Sequence, residues 1–265
     1  MPAGHYEIYI GVLKMQIVFV HHSCFLVEID DTVLIFDYFD GDRVKGFHFQ
    51  GKIPTYAKDT KIFMFASHSH ADHYDMDILR LADQYENIHY IFSKDIRISP
   101  NFLKKHGIDP QVRERVTFVK ENANYEVGDL KIETLRSTDA GVAFYVSYHG
   151  INLFHAGDLN DWRMEHVGEL INGKMRRAYR HEINKLKKKP IHAAFVACDP
   201  RLGEYQFDGI TYFLETTDAE YVFPMHMWQK YSELKDFKKK LTNKYMAERV
   251  MEISHENQSF LFEES

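Results

Sequence analysis

The chain has 265 residues, 45% of them hydrophobic and 14% aromatic, enough for one large domain or two small ones with a sizeable core. A formal net charge of −6 argues against a general polyanion binder, and no apolar run nears the roughly 18 residues of a membrane span. Cys24 and Cys198 are too few for a disulfide framework, so a reducing, cytoplasmic compartment is expected. Met1 to Lys14 lacks the layout of a secretory signal, and Met15, directly before a strand-like run, is an alternative start. The spacing then predicts strands at Gln16–Val20, Phe25–Ile29 and Thr32–Phe36, with a turn at Asp30-Asp31. Ile62–Ala66 is wholly apolar, as a central strand should be, and a helix is expected from about Met76 to Tyr85. Short elements follow at His89–Phe92, Asn101–His106, Val116–Val119 and Asp129–Leu135. Val142–Tyr148 and Ile151–His155 read as a hairpin turned by His149-Gly150.

The longest helical stretch is expected from about Asp161 to Lys189, with Val167, Ile171, Met175, Tyr179, Ile183 and Leu186 as an amphipathic stripe stopped by Pro190. Ile191–Ala197 reads as a buried strand. A helix near Gly209–Glu215, a strand Tyr221–Pro224, a helix Ser232–Leu241 and two final strands complete the pass. Strands and helices mix throughout, which predicts an α/β layer architecture in a single domain over residues 1–265. The stretch 161–189 is its helical insertion.

Sixteen histidines are present, and their spacing matters more than their number. Ser67-His68-Ser69-His70-Ala71-Asp72-His73 places three imidazoles and a carboxylate directly after an apolar strand, where a loop can turn them toward one point. Imidazole and carboxylate suit Zn²⁺, and also Mn²⁺ or Fe²⁺. An accidental polar loop explains one such histidine easily, but not the whole H-x-H-x-D-H pattern.

This loop resembles the hallmark of the metallo-β-lactamase superfamily, and later segments fit the same order. Asp158, in His155-Ala156-Gly157-Asp158, resembles the carboxylate that bridges two metals in that family; His226, in Pro224-Met225-His226, resembles its last histidine. Asp37 resembles the early aspartate that supports the site without binding metal. The resemblance implies a four-layer αββα sandwich and one or two divalent metal ions, Zn²⁺ foremost. It implies a second metal site of Asp72, His73, Asp158 and His226.

The first site departs from the pattern. Where a third histidine is expected, the chain reads Arg136-Ser137-Thr138-Asp139, so His68, His70, Asp139 and bridging Asp158 form a modified set. Asp139 capping a turn is the competing reading, about equal in weight. His155 is left out as a ligand. His21-His22-Ser23 resembles a phrase of the ascorbate-6-phosphate lactonase-like branch, and His22 either faces the cleft or is a buried hydrogen-bonded histidine. Arg201, in Asp199-Pro200-Arg201, either meets substrate or belongs to a plain turn. Trp162 and Trp228 are pocket walls or core.

The implied activity is hydrolysis by water activated on the metal, with Asp72 orienting that water, of a small ester, lactone or phosphoester. The partner is then a small-molecule substrate, with no membrane, and nothing in the sequence opposes a homo-oligomer. One alternative is a nuclease acting on RNA phosphodiesters, supported by the basic cluster from Lys174 to Lys189. A solvated helix face accounts for that cluster more simply. The other alternative is a non-catalytic metal-binding scaffold.

Overall fold

The computed structural model describes residues 14–263. The stretch Met1 to Lys14, weighed above as a leader, therefore lies outside them except for its last residue. Six strands come first: β1 (Lys14–His21), β2 (Cys24–Ile29), β3 (Thr32–Phe36), β4 (Lys61–Ala66), β5 (Ile88–Ser93) and β6 (Val116–Val119), with a short helix α1 (Pro100–Lys105) before β6. Then come β7 (Asn124–Val127), β8 (Leu130–Arg136), β9 (Val142–Tyr148) and β10 (Ile151–His155). Helix α2 (Glu169–Ile183), β11 (Ala193–Ala197), α3 (Asp208–Thr216) and β12 (Tyr221–Met225) follow. The chain closes with α4 (Glu233–Lys240), α5 (Lys244–Arg249) and β13 (Gln258–Glu263).

Two sheets result. One has seven strands in the order β13-β1-β2-β3-β4-β5-β6, the other six in the order β12-β11-β10-β9-β8-β7. Strand alternation explains the layering, because successive side chains point to opposite faces. On β2, Phe25, Val27 and Ile29 pack into the core between the sheets, while Cys24 and Leu26 face a second core on the other side. That second core is closed by Ile78 and Leu79 of a 3₁₀ helix and by Leu103 of α1. Tyr179 and Ile183 of α2, Phe213 of α3 and Phe237 of α4 cover the other sheet. The expected αββα sandwich is the observed one.

The differences have local causes. Met76–Asp83 is a 3₁₀ helix rather than an α-helix to Tyr85, and the Asp75 carboxylate that starts it accepts from the amide only two residues ahead. The helix expected from Asp161 begins only at Glu169. The Asn172 side chain explains this: its amide group donates to the carbonyls of Met164 and Val167 and accepts from the Met164 amide, which holds 164–167 as a loop. The predicted stripe is buried only in its C-terminal half. Tyr179, Ile183 and Leu186 are core, whereas Ile171 is 61% exposed. Among the described residues one final strand forms, not two: the Asn243 side chain caps Met246 and starts α5, and the stretch after it contributes only an isolated bridge of Val250 to Val222. The short strand β7 was not expected, its pattern being half-buried and polar.

Candidate metal centre

The sheet directions place the site. Strands β3, β4, β5 and β6 run parallel to one another, as do β10, β11 and β12. Ligand-binding groups in such sheets collect beyond the carboxyl ends of the strands. Here those ends deliver Asp37 after β3, the His68–His73 loop after β4, Asp158 after β10, Asp199 after β11 and His226 after β12. The turn between β1 and β2 adds His22. Asp37, His22 and His226 all carry positive φ angles, which L-residues adopt rarely and mostly where the surroundings impose them.

Two groups of donors form. His68, His70 and Asp158 offer atoms within 4.8 Å of one another, and so do His22, Asp72, His73 and His226. Asp158 reaches both: Oδ2 is 3.3 Å from His68 Nε2, and Oδ1 is 3.1 Å from His73 Nε2 and 3.5 Å from His226 Nε2. Asp72 Oδ2 lies 3.4 Å from His22 Nε2 and 3.5 Å from His226 Nε2. The Nε2 atoms of His22, His68, His73 and His226, with Asp158 Oδ1, are buried and make no hydrogen bond. Orphaned buried polar atoms cost about 1–3 kcal/mol each, so five gathered in one place favour a shared partner. The set of imidazole nitrogens and carboxylate oxygens fits a divalent cation.

Asp37 aims two of these imidazoles. Its Oδ2 accepts from His73 Nδ1 at 2.7 Å and from the Ser67 hydroxyl at 2.6 Å, while Oδ1 accepts the Ser67 amide. Having given its proton to Asp37, the Ser67 hydroxyl can only accept from His68 Nδ1, 2.9 Å away. In the neutral rings this leaves Nε2 bare and facing Asp158, one in each group. Such carboxylate–histidine pairs fix the tautomer a metal requires. Asp199 is placed for the same task at His226, its Oδ2 lying 2.9 Å from Nδ1, and the Trp228 indole donates to it. Ser67 is itself wedged: a Cβ on Gly141 would fall 1.9 Å from the Ser67 carbonyl oxygen, and one on Gly157 2.7 Å from its Cβ.

The charges interlock. Burial opposes ionisation of Asp158, but the charges on His73 and His226 override it and hold the carboxyl well below the usual range. Burial likewise opposes a proton on His226, yet Asp158, Asp199 and Asp72 push its pKa up to about 9. His73 is pushed up by Asp158 and Asp37 against the same burial. His22 goes the other way, to about 3, through burial and the neighbouring His226 charge. A proton on His73 and His226 thus offsets carboxylate charge that a cation would offset instead.

The remaining expected residues lie around this centre. Asp139 is 3.7 Å from His70 Nδ1, with both side chains about half exposed, and it is outside the two donor groups. Arg201 forks onto Asp199 and lies over the Trp228 ring at 4.6 Å. Trp162, Arg201 and Met164 wall a cavity of about 510 Å³ over His70, Asp72, Asp158 and His226. His155 is committed elsewhere: Nδ1 accepts the Gly157 amide and Nε2 donates to the Ser23 carbonyl. His21 hydrogen-bonds the Phe39 carbonyl away from the centre. His22, expected either to face the cleft or to be a buried hydrogen-bonded histidine, stands in the second donor group; a histidine at a two-residue hairpin turn, where Asn or Gly is usual, is the signal. For the Asp199-Pro200-Arg201 segment the sequence offers substrate contact or a plain turn, whereas Asp199 instead faces His226; a carboxylate just past an apolar strand is the signal there.

Comparison with known proteins agrees. No curated protein matches the chain significantly. Among solved structures, a metallo hydrolase from the hyperthermophilic archaeon Ignicoccus hospitalis is similar, at 14% identity and a TM-score of 0.59 over 95% of this chain and 100% of that one. An isothiocyanate hydrolase from Delia radicum gut bacteria gives 12% identity and a TM-score of 0.56 over 94% and 100%. CmlA, a diiron β-hydroxylase from Streptomyces venezuelae, gives 12% and 0.50 over 82% of this chain but 44% of its own. At such identities these likenesses speak for the fold. The sequence profile of the beta-lactamase superfamily domain matches residues 16–171, more than half of the chain and through the whole stretch from β1 to Asp158. The protein is a member of the beta-lactamase superfamily.

Proposed function

We propose that the protein is a metal-dependent hydrolase with a binuclear centre, acting on a small ester, lactone or phosphoester. The observation that carries this reading is the convergence of three buried imidazole nitrogens, from His68, His73 and His226, on Asp158, with a fourth, from His22, on the adjacent Asp72. His68, His70 and Asp158, with Asp139 beside them, would hold one cation; His22, Asp72, His73, Asp158 and His226 would hold the other. Bound divalent cations supply a Lewis acid and hydroxide at neutral pH. The side chains prepare the rest. Asp72, facing the cavity and partly exposed, is placed to accept a hydrogen bond from the attacking water and orient it. Asp37 and Asp199 keep His73 and His226 aimed. Arg201, at the cavity wall, supplies a fixed positive charge for a carbonyl or phosphoryl oxygen. Zn²⁺ suits the donor set best, and the diiron centre named for CmlA keeps iron in view.

The lactone class rests on the sequence resemblance to the ascorbate-6-phosphate lactonase-like branch. A reducing, cytoplasmic setting suits two cysteines that are both free and buried; among the described residues, no helix is long and apolar enough to cross a membrane. The test is metal content after reloading with Zn²⁺ or Mn²⁺, followed by lactone, carboxylester and phosphodiester panels with the wild type and Asp72→Asn. Two equivalents and hydrolysis lost in the variant are expected. Absence of retained metal, or a function that survives Asp72→Asn, would move the protein to the scaffold reading.

A further inference from the structure

Beside the metal cavity lies a larger trench of about 890 Å³, and the two share Thr138, Asp139 and Met175. It opens at the same edge of the sheets. Lys94 follows β5, Lys120 follows β6 and Arg136 ends β8, while α2 overhangs the trench with Lys174 and Arg177. All five side chains are exposed, and none makes an ion pair among the described residues. The acids in the same walls cancel them only in part. Glu182 is paired with Lys185, Asp95 accepts the Ser69 amide, and Asp139 stands next to His70. Asp95, Glu121 and Asp139 keep their charges, so the five cations outnumber the acids left uncompensated in the walls.

We propose that this trench is an anion subsite: it holds the carboxylate- or phosphate-bearing end of an extended small-molecule substrate whose scissile bond lies over the metal centre. The inference rests on the hydrolase reading for that last clause, and on the trench itself for the rest. Unpaired basic groups in a concave, partly enclosed wall focus potential on an anion. A nucleic-acid strand fits less well, since no Phe, Tyr or Trp lines the trench to stack a base and Glu121 interrupts the positive track.

The experiment is calorimetric titration of the metal-loaded protein at low salt with inorganic phosphate and, separately, glutarate. It is repeated on Lys174→Ala/Arg177→Ala, whose two sites are exposed on a helix surface and leave the core intact. Saturable binding of at least one probe is expected, weakening with ionic strength and by about fivefold or more in the double variant. The tighter probe identifies which oxyanion the subsite prefers. Absence of binding by either probe, equal binding to the double variant, or an oligoribonucleotide whose affinity rises with length above both probes would overturn the proposal. Metal content of the same samples separates the two ideas: a metal-free protein whose phosphate binding still depends on Lys174 and Arg177 retains the subsite and loses the hydrolase.

Discussion

Asp37→Asn tests the reasoning about the centre most sharply, because it changes hydrogen-bond polarity without changing shape. The carboxylate is fully buried and accepts three hydrogen bonds, from the Ser67 amide, the Ser67 hydroxyl and His73 Nδ1. An amide oxygen can keep the Ser67 amide, but the NH₂ then faces two donors. Either His73 moves its proton to Nε2, which closes the atom that faces Asp158, or the contact opens. Loss of such an outer partner typically weakens metal binding by about 10–100-fold, or about 1.4–2.8 kcal/mol. Hydrogen bonds to a charged group contribute about 1.5–3 kcal/mol each, so the metal-free variant should lose on the order of 3 kcal/mol by chemical denaturation. That leaves it folded, given total stabilities of about 5–15 kcal/mol. The sign with pH follows from the carboxyl being held below its ordinary range, by the adjacent His155 ring and by the hydrogen bond and charge of His73, acting against burial. The wild-type advantage is full above the unfolded pKa of about 3.9 and is lost as pH falls through the lower folded value. Metal affinity by competition with a chromophoric chelator is the direct assay. A folded Asp37→Asn protein that binds metal within twofold of wild type would refute the orienting role.

Other expectations are more local. Asp139→Ala should weaken the metal at His68, His70 and Asp158 by about tenfold while leaving the other equivalent in place; full retention of both equivalents by mass spectrometry would show that Asp139 only shapes its turn. Gly157→Ala, at φ +50° with its new Cβ 2.7 Å from that of Ser67, should cost about 1–3 kcal/mol in urea unfolding, and an unchanged midpoint would mean that the loop yields without strain. Loading with Zn²⁺ at pH 7 should release protons, because His226, with a pKa of about 9, is protonated there without metal and ligates only as the neutral ring. Calorimetry in buffers of different ionisation enthalpy reads the number released, and a buffer-independent heat would contradict the charge balance described for the centre.

Much of this protein is local in origin and therefore legible in its sequence. β3, β9 and β10 have the ends their residue patterns predict, because apolar alternation and the Asp30-Asp31 and His149-Gly150 turns act over a few neighbours. The H-x-H-x-D-H loop announced a metal site because its donors are contiguous. Other features depended on groups far apart in the chain. The start of α2 was set by the Asn172 amide folding back on Met164 and Val167, a choice that periodicity does not register. His22 joined Asp72 because the β1–β2 turn and the β4 loop reach the same edge, fifty residues apart in sequence. Asp199 met His226 because β11 and β12 pair side by side in parallel, although 27 residues separate the two side chains in sequence. Lys94 and Lys120 met Arg136 and the overhang of α2 only once two sheets had packed face to face. Which residues can bind a metal is written in the chain, since donor chemistry belongs to the side chain. Which of them face one another, with what proton and in what field, was decided by the tertiary structure, since distance and burial belong to the fold.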